Sequence, residues 1–275
     1  MSHFRYFIRL AYAGTWFHGW QRQPNGITIQ QRLEESMSMM LRTPVSLTGA
    51  GRTDTGVHAD EFFAHFDYHS VLSQVSLEKL AFRLNGYLGG EIVIFEIFPV
   101  QSNAHARFSA IARTYRYCVA RVQNPFRRDF THFIYGALDI DLMNAGALLL
   151  YENEDFTSFS KVDTDTATNN CRVSFAKWEP EDNELVFTIT ADRFLRNMVR
   201  AIVGTFLQLG TGRISMEKLK KIIESKDRSK AVDSAPGSFI RKPYIVVNPH
   251  KRMDSIAYIL FFPGSHSSPC LRDTH

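Results

Sequence analysis

From Phe4 to Val100 the hydrophobic pattern switches between a period of two and a period near 3.6 in an order that few folds accommodate. Phe4, Tyr6, Ile8 and Leu10 alternate with Arg5, Phe7, Arg9 and Ala11, the pattern of a strand. After a loop with Gly14, Gly19, Pro24 and Gly26, Thr28 and Gln31 form a capping-box signature. It predicts a helix whose inner face carries Leu33, Met37, Met40 and Leu41. Residues 45–50 and 62–67 read as strands, 77–88 as a second helix and 92–100 as a further strand. Strand, helix, strand, strand, helix, strand is the order of a split βαβ, ferredoxin-like unit.

A comparable series begins near Arg113. Residues 114–122 and 133–137 read as strands and 141–151 as a helix with Asp141 near its cap. Residues 171–178 and 185–190 pair as antiparallel strands joined by an acidic turn around Pro180 and Asn183. A long helix over 194–209 is closed by Gly210 and Gly212, and a shorter one over 216–225 carries Lys218, Lys220 and Lys221. The expected class is α+β: two split βαβ halves share a mainly antiparallel sheet, with helices packed on one side and an active cleft between the halves. The expected divisions are 1–107, 108–236 and an atypical tail over 237–275.

A chain of 275 residues, 44% hydrophobic and 13% aromatic, can bury one large core or two modest ones. Gly and Pro number 26 together, too few for a disordered or collagen-like chain. The most apolar long segment, 194–209, is broken by Arg196, Asn197 and Arg200, which argues against a membrane span. The N-terminus alternates and lacks the apolar core of a signal peptide, so the cytoplasm is expected. Cys118, Cys171 and Cys270 lie too far apart for a local zinc site or a disulfide framework. The net charge of +4 hides segregation. Residues 193–252 hold fourteen Lys or Arg against four acids, and 107–128 hold six basic residues and no acid. Residues 139–165 carry seven acids and one lysine. Such placement fits either a phosphate-backbone binder or a set of solvated helix faces.

The most unusual stretch is Gly51-Arg52-Thr53-Asp54-Thr55-Gly56-Val57-His58-Ala59. Two glycines bracket an acid, an arginine and two hydroxyls between strands, a setting that presents Asp54 from a rigid sheet edge. Aspartate is ionised near neutral pH without tuning and can act as a nucleophile or stabilise a cationic sugar. A bare Gly-x-x-Asp-x-Gly also fits an Asx-capped turn, whereas the whole nonapeptide is far more specific.

That nonapeptide closely resembles the catalytic motif of the TruA family of tRNA pseudouridine synthases. Three further segments agree in order. They are Phe17-His18-Gly19-Trp20-Gln21-Arg22-Gln23; Phe108-Ser109-Ala110 with Arg113-Thr114-Tyr115-Arg116-Tyr117; and Phe194-Leu195-Arg196-Asn197-Met198-Val199-Arg200 with Ile202-Val203-Gly204. Residues 155–159 agree more weakly. The resemblance covers roughly residues 4 to 230.

It implies an isomerase that acts on uridine in the anticodon stem-loop of tRNA, at positions 38–40, with neither metal nor cofactor. It also implies a homodimer with no membrane association. Asp54 is then the catalytic carboxylate. Arg200 should pair with it and favour its ionised form, Tyr115 should stack on the uracil, and Arg52 should fill the gap left by the flipped base or grip a phosphate. His58 is expected to hydrogen-bond within the loop, and Trp20, Gln21 and Gln23 to serve as scaffolding or RNA contacts. The clusters over 107–128 and 218–230 are the candidate tRNA-gripping surfaces. Two other readings stay open: a non-catalytic RNA-binding protein of the same fold, and an N-glycoside hydrolase that releases the base to water.

The chain departs from the family near its end. Ser234-Ala235-Pro236-Gly237-Ser238-Phe239 is not followed by the family's Gly-Leu-x-Leu step and pocket-lining strand. For residues 237–275 an altered reading frame, a lineage-specific replacement and ordinary divergence all stay open. Loss of that strand would expose an apolar sheet edge.

Overall fold

A computed structural model describes residues 3–161 and 168–247; for 241–247 the backbone alone is considered. The first half runs β1 (Phe4–Tyr12), α1 (Ile29–Leu41), β2 (Thr48–Gly49), β3 (His58–Tyr68), α2 (Gln74–Leu88) and β4 (Ile92–Val100). The second runs β5 (Ala110–Ala120), β6 (His132–Phe133), α3 (Ile140–Leu148), β7 (Val173–Glu181), β8 (Glu184–Ala191), α4 (Met198–Gly210), α5 (Met216–Ser225) and β9 (Ile240–Val247). The class is α+β, with five α-helices among the described residues.

Hydrogen bonding joins the strands in the order β4-β1-β3-β9-β5-β8-β7, with β2 on β3 and β6 on β5. The first half therefore has the order β4-β1-β3-β2 and the second β9-β5-β8-β7, the same arrangement by position in each series once the two-residue β6 is set aside. The two halves meet where β9 lies between β3 and β5. It runs parallel to β3 at His58↔Arg241 and Ala59↔Lys242, and antiparallel to β5 from Ala110↔Val247 to Tyr117↔Ile240.

Each half has its own core. In the first, Tyr6, Phe7 and Ile8 of β1 are all buried, as befits a strand covered on both faces, and Leu33 and Met37 of α1 and Leu80 and Leu84 of α2 join them. In the second, Trp178 stacks on Phe187 at 4.8 Å, and Phe206 of α4 meets Phe187 edge-on at 5.5 Å. Val57, from the Asp54 loop, is buried in this second core and ties the loop of one half to the packing of the other.

Several boundaries differ from the sequence reading. The strand expected over 45–50 is reduced to Thr48–Gly49, and β3 begins at His58, directly after the Asp54 loop. Helix α3 is capped by Asp139, whose Oδ1 accepts the Leu142 N–H at 2.8 Å; Asp141 stands in its first turn. Helix α4 starts at Met198, because Asn197 takes a left-handed φ of 68° that ends the incoming chain. The expected tail over 237–275 lies largely outside the described residues. Its described part, 237–247, forms one helical turn and then the strand that joins the halves.

Candidate active site

The loop from Gly51 to Val57 is fixed by contacts from the segment after β1. The Trp20 N–H donates to the Thr53 carbonyl at 3.2 Å, the Gly56 N–H to the Phe17 carbonyl at 3.3 Å, and the Tyr12 and Thr53 hydroxyls are 3.0 Å apart. Two glycines make this approach possible. Gly19 has φ +78°, and a Cβ there would overlap the Thr53 carbonyl; a Cβ at Gly14 would overlap the Val57 carbonyl. Within the loop, the Val57 N–H returns to the Asp54 carbonyl at 3.2 Å.

His58 is buried below the loop. Its Nδ1 accepts the Gly14 N–H at 3.1 Å, which leaves the proton on Nε2 to donate to the carbonyls of Ser238 at 2.8 Å and Asp129 at 3.1 Å. One neutral imidazole thus holds together three segments distant in sequence. The expectation of hydrogen bonds within the loop is corrected here: Gly14, Asp129 and Ser238 all lie on other segments.

Arg200 reaches Asp54 from the first turn of α4. Its Nη1 lies 3.4 Å from Asp54 Oδ2, while its Nε donates to the Ala235 carbonyl at 2.8 Å and its own carbonyl accepts the Ala235 N–H at 2.9 Å. The guanidinium is thereby aimed by a reciprocal pair of bonds to one residue. Ser234 is held in turn by Asn197 Nδ2 at 2.6 Å and Arg228 Nη2 at 3.0 Å. Gly237 lies against the Thr55 carbonyl and the Arg200 side chain. Residues 234–238 are therefore a wall of the site. Sequence reading missed this role and named the segment only as the start of a departure; the surviving Ala-Pro pair was the available signal.

Tyr115, on β5, is half-buried and meets Phe194 edge-on at 4.9 Å. Burial pushes its phenol up to about 12, the Arg113 charge opposes that, and the charge of Asp54 adds to it. Its hydroxyl is accordingly protonated at neutral pH beside the carboxylate. Arg113, two residues along the same face of β5, donates to the carbonyls of Asp192 and Arg107, each at 2.6 Å, and so ties the end of β8 to the link between halves. Asp54, Arg200 and Tyr115 are thus brought together. Arg52 is exposed and makes no hydrogen bond or ion pair among the described residues.

The basic clusters are less uniform than the sequence suggests. Of the six basic residues over 107–128, Arg113 is spent on carbonyls, Arg116 pairs with Glu181, and Arg127 pairs with Glu184. In α5 the side chains of Lys218, Lys220 and Lys221 are exposed opposite buried Leu219, Ile222 and Ile223, so that helix keeps its charges free for a partner. No helix among the described residues is long and apolar enough to cross a membrane.

Comparison with known proteins adds to this geometry. A family model described as tRNA pseudouridine synthase matches residues 151–238. The chain is 52% identical over 237 residues to tRNA pseudouridine synthase A of Bacteroides thetaiotaomicron, covering 85% of this chain and 87% of that one. It is 50% identical over 233 residues to the protein of the same name from Parabacteroides distasonis, with 85% and 92% covered. The namesake from Exiguobacterium sibiricum is 35% identical over 232 residues, with 84% and 92% covered.

Proposed function

The chain belongs to the tRNA pseudouridine synthase A family and is an isomerase, and on that premise we propose that it converts uridine to pseudouridine at positions 38–40 of the tRNA anticodon stem-loop, with Asp54 as the catalytic carboxylate. The observation that carries the proposal is the Arg200–Asp54 pair at 3.4 Å, which joins residues 146 positions apart from the two halves, with Tyr115 beside it.

The reaction breaks the C1′–N1 bond, turns the uracil within the pocket and forms C5–C1′, with the C5 proton lost and N1 protonated. No electrons are exchanged with an outside group, and no redox cofactor is required. Asp54 supplies a carboxylate at the sugar, either by adding to C1′ or by removing the C2′ proton. A deuterium isotope effect from C2′-labelled uridine separates these routes. Arg200 holds the carboxylate in place through Nη1 while its Nε is anchored on Ala235. Tyr115 presents a neutral ring to stack on the detached base, and Arg52 fills the vacated stack or meets a neighbouring phosphate. The cleft lies between the halves, with the helices backing the sheet on one side, and the enzyme works as a homodimer, which sedimentation would test.

The deciding assay incubates unmodified tRNA with the protein and maps pseudouridine. Modification at 38–40 supports the proposal, free uracil supports an N-glycoside hydrolase, and binding without either product supports an inert RNA-binding module. Asp54→Asn is expected to abolish conversion while leaving tRNA affinity largely intact; substantial turnover by a clean preparation of that variant would refute the assignment.

A further inference from the structure

The chain has three tryptophans, and they differ sharply in setting. Trp20 and Trp178 are 3% and 1% exposed, packed in the two cores. Trp16 is 77% exposed. Its ring makes no aromatic or cation contact among the described residues. Exposure alone is ordinary for a single apolar side chain, and Phe82, Phe126 and Tyr135 are more exposed still; what sets Trp16 apart is the turn that carries it.

The turn that carries Trp16 is pinned to the Asp54 loop on both sides. Gly14, two residues before it, donates to His58 and packs without a Cβ against Val57; Phe17, one residue after it, accepts the Gly56 N–H at 3.3 Å. Standard backbone lengths then place the Trp16 Cα within about 19 Å of the Asp54 Cα. Arg52, exposed and unpaired among the described residues, stands on that same loop. A bare indole on a backbone turn pinned to the Asp54 loop, with a free guanidinium on that loop, supplies the two parts of a single-strand nucleic-acid contact: a flat ring for a base and a cation for the backbone.

We propose that Trp16 is a stacking platform for an unpaired base that flanks the target uridine, and so a positioning residue for RNA rather than part of the reacting centre. This rests on the pseudouridine synthase reading for its substrate. Base–aromatic stacking of this kind corresponds to about a 5- to 150-fold change in affinity. Because stacking carries no charge, its loss should leave the salt dependence of binding unchanged, whereas removal of a phosphate contact lowers the slope.

The test uses the intact chain and an unmodified tRNA anticodon stem-loop transcript. Trp16 being the exposed tryptophan, its emission should be quenched by acrylamide in free protein and quenched further, then shielded, on addition of the transcript. Trp16→Ala should raise KM and the dissociation constant about 5- to 150-fold with kcat changed far less, an unaltered thermal midpoint and an unaltered salt slope. Trp16→Phe should recover most of the affinity while the fluorescence change disappears. Wild-type modification of tRNA combined with a Trp16→Ala variant of equal KM would overturn the platform and leave the isomerase standing. Absence of modification by the wild type would instead strike the functional reading. Emission already shielded from acrylamide in RNA-free protein, falling away on dilution, would overturn the platform in favour of an interface between copies of the chain.

Discussion

Two buried histidines on β3 use the same device with different consequences. His58 and His65 each accept a backbone N–H at Nδ1, from Gly14 and Ala106 respectively, both at 3.1 Å. A protonated ring has no acceptor to offer, so both positions require the neutral form. For His65, burial together with the charge of Arg5 and neighbouring His105 lowers the imidazole to about 4. Above about pH 6.5 neither folded nor unfolded chain carries the proton and stability is complete. As pH falls from 6.5 towards 4 the unfolded chain takes up a proton that the folded one refuses, and up to about 3 kcal/mol is lost. Urea unfolding at pH 7 and pH 4.5 should show that decline. His65→Gln, which keeps an acceptor for Ala106 without titrating, should flatten it; equal declines in both proteins would show that another group is responsible. At this scale the sequence was most legible where chemistry is local. Asp54 stood out by its flanking glycines and hydroxyls, and Arg200 by being a charge in an otherwise apolar helix. The need for glycine at position 19 was not legible, because its left-handed φ answers to a carbonyl 34 residues away.

Among the elements, α4 is the one that carries Arg200 to Asp54. Gly204 is interior to it, where alanine would ordinarily gain about 1 kcal/mol in helix propensity. A Cβ at Gly204, however, would overlap the Asp233 carbonyl and press on the Ala235 nitrogen. The helix therefore gives up propensity so that residues 233–235 can pass close enough for Ala235 to exchange its two hydrogen bonds with Arg200. Gly204→Ala should be destabilising by about 1–3 kcal/mol despite the better helix former. It should also slow turnover with Asp54 untouched, since displacing Ala235 frees the guanidinium. Calorimetry with single-turnover modification would check both; a raised thermal midpoint with full activity would contradict the packing argument. The helices and long strands were readable from periodicity, with α5 and β4 placed at both ends. What periodicity missed was set by contacts between segments. The short β2 is cut down by its neighbours, and α4 begins four residues late because Asn197 turns left-handed while its amide holds Ser234.

For the molecule as a whole, continuity depends on β9. The two halves repeat one strand order, but without β9 the edge of β3 at His58–Ala59 and that of β5 from Ala110 to Tyr117 would be left unpaired, and the parallel contact to β3 falls directly behind the Asp54 loop. Sequence reading set residues 237–275 apart because the family's Gly-Leu-x-Leu step is missing there; the structure nevertheless runs a strand through Pro243, which has no N–H for the ladder. The sheet accommodates it by a shift of register, pairing Thr114 with Tyr244 but Arg116 with Arg241, so that the irregularity falls beside Pro243. A chain ending after Phe239 should consequently lose the eight residues of β9 and their pairing to both halves. It exposes two strand edges and uncovers the core beneath Ile240, which is 3% exposed. The expected outcome is self-association on size exclusion and loss of cooperative unfolding, compared with a chain ending after Val247 that keeps every described strand. If the Phe239-terminated chain instead elutes as the longer one does and unfolds at the same temperature, the halves close without β9, and the geometry linking Asp54 to Arg200 is held by the contacts of Ala235 and His58 alone.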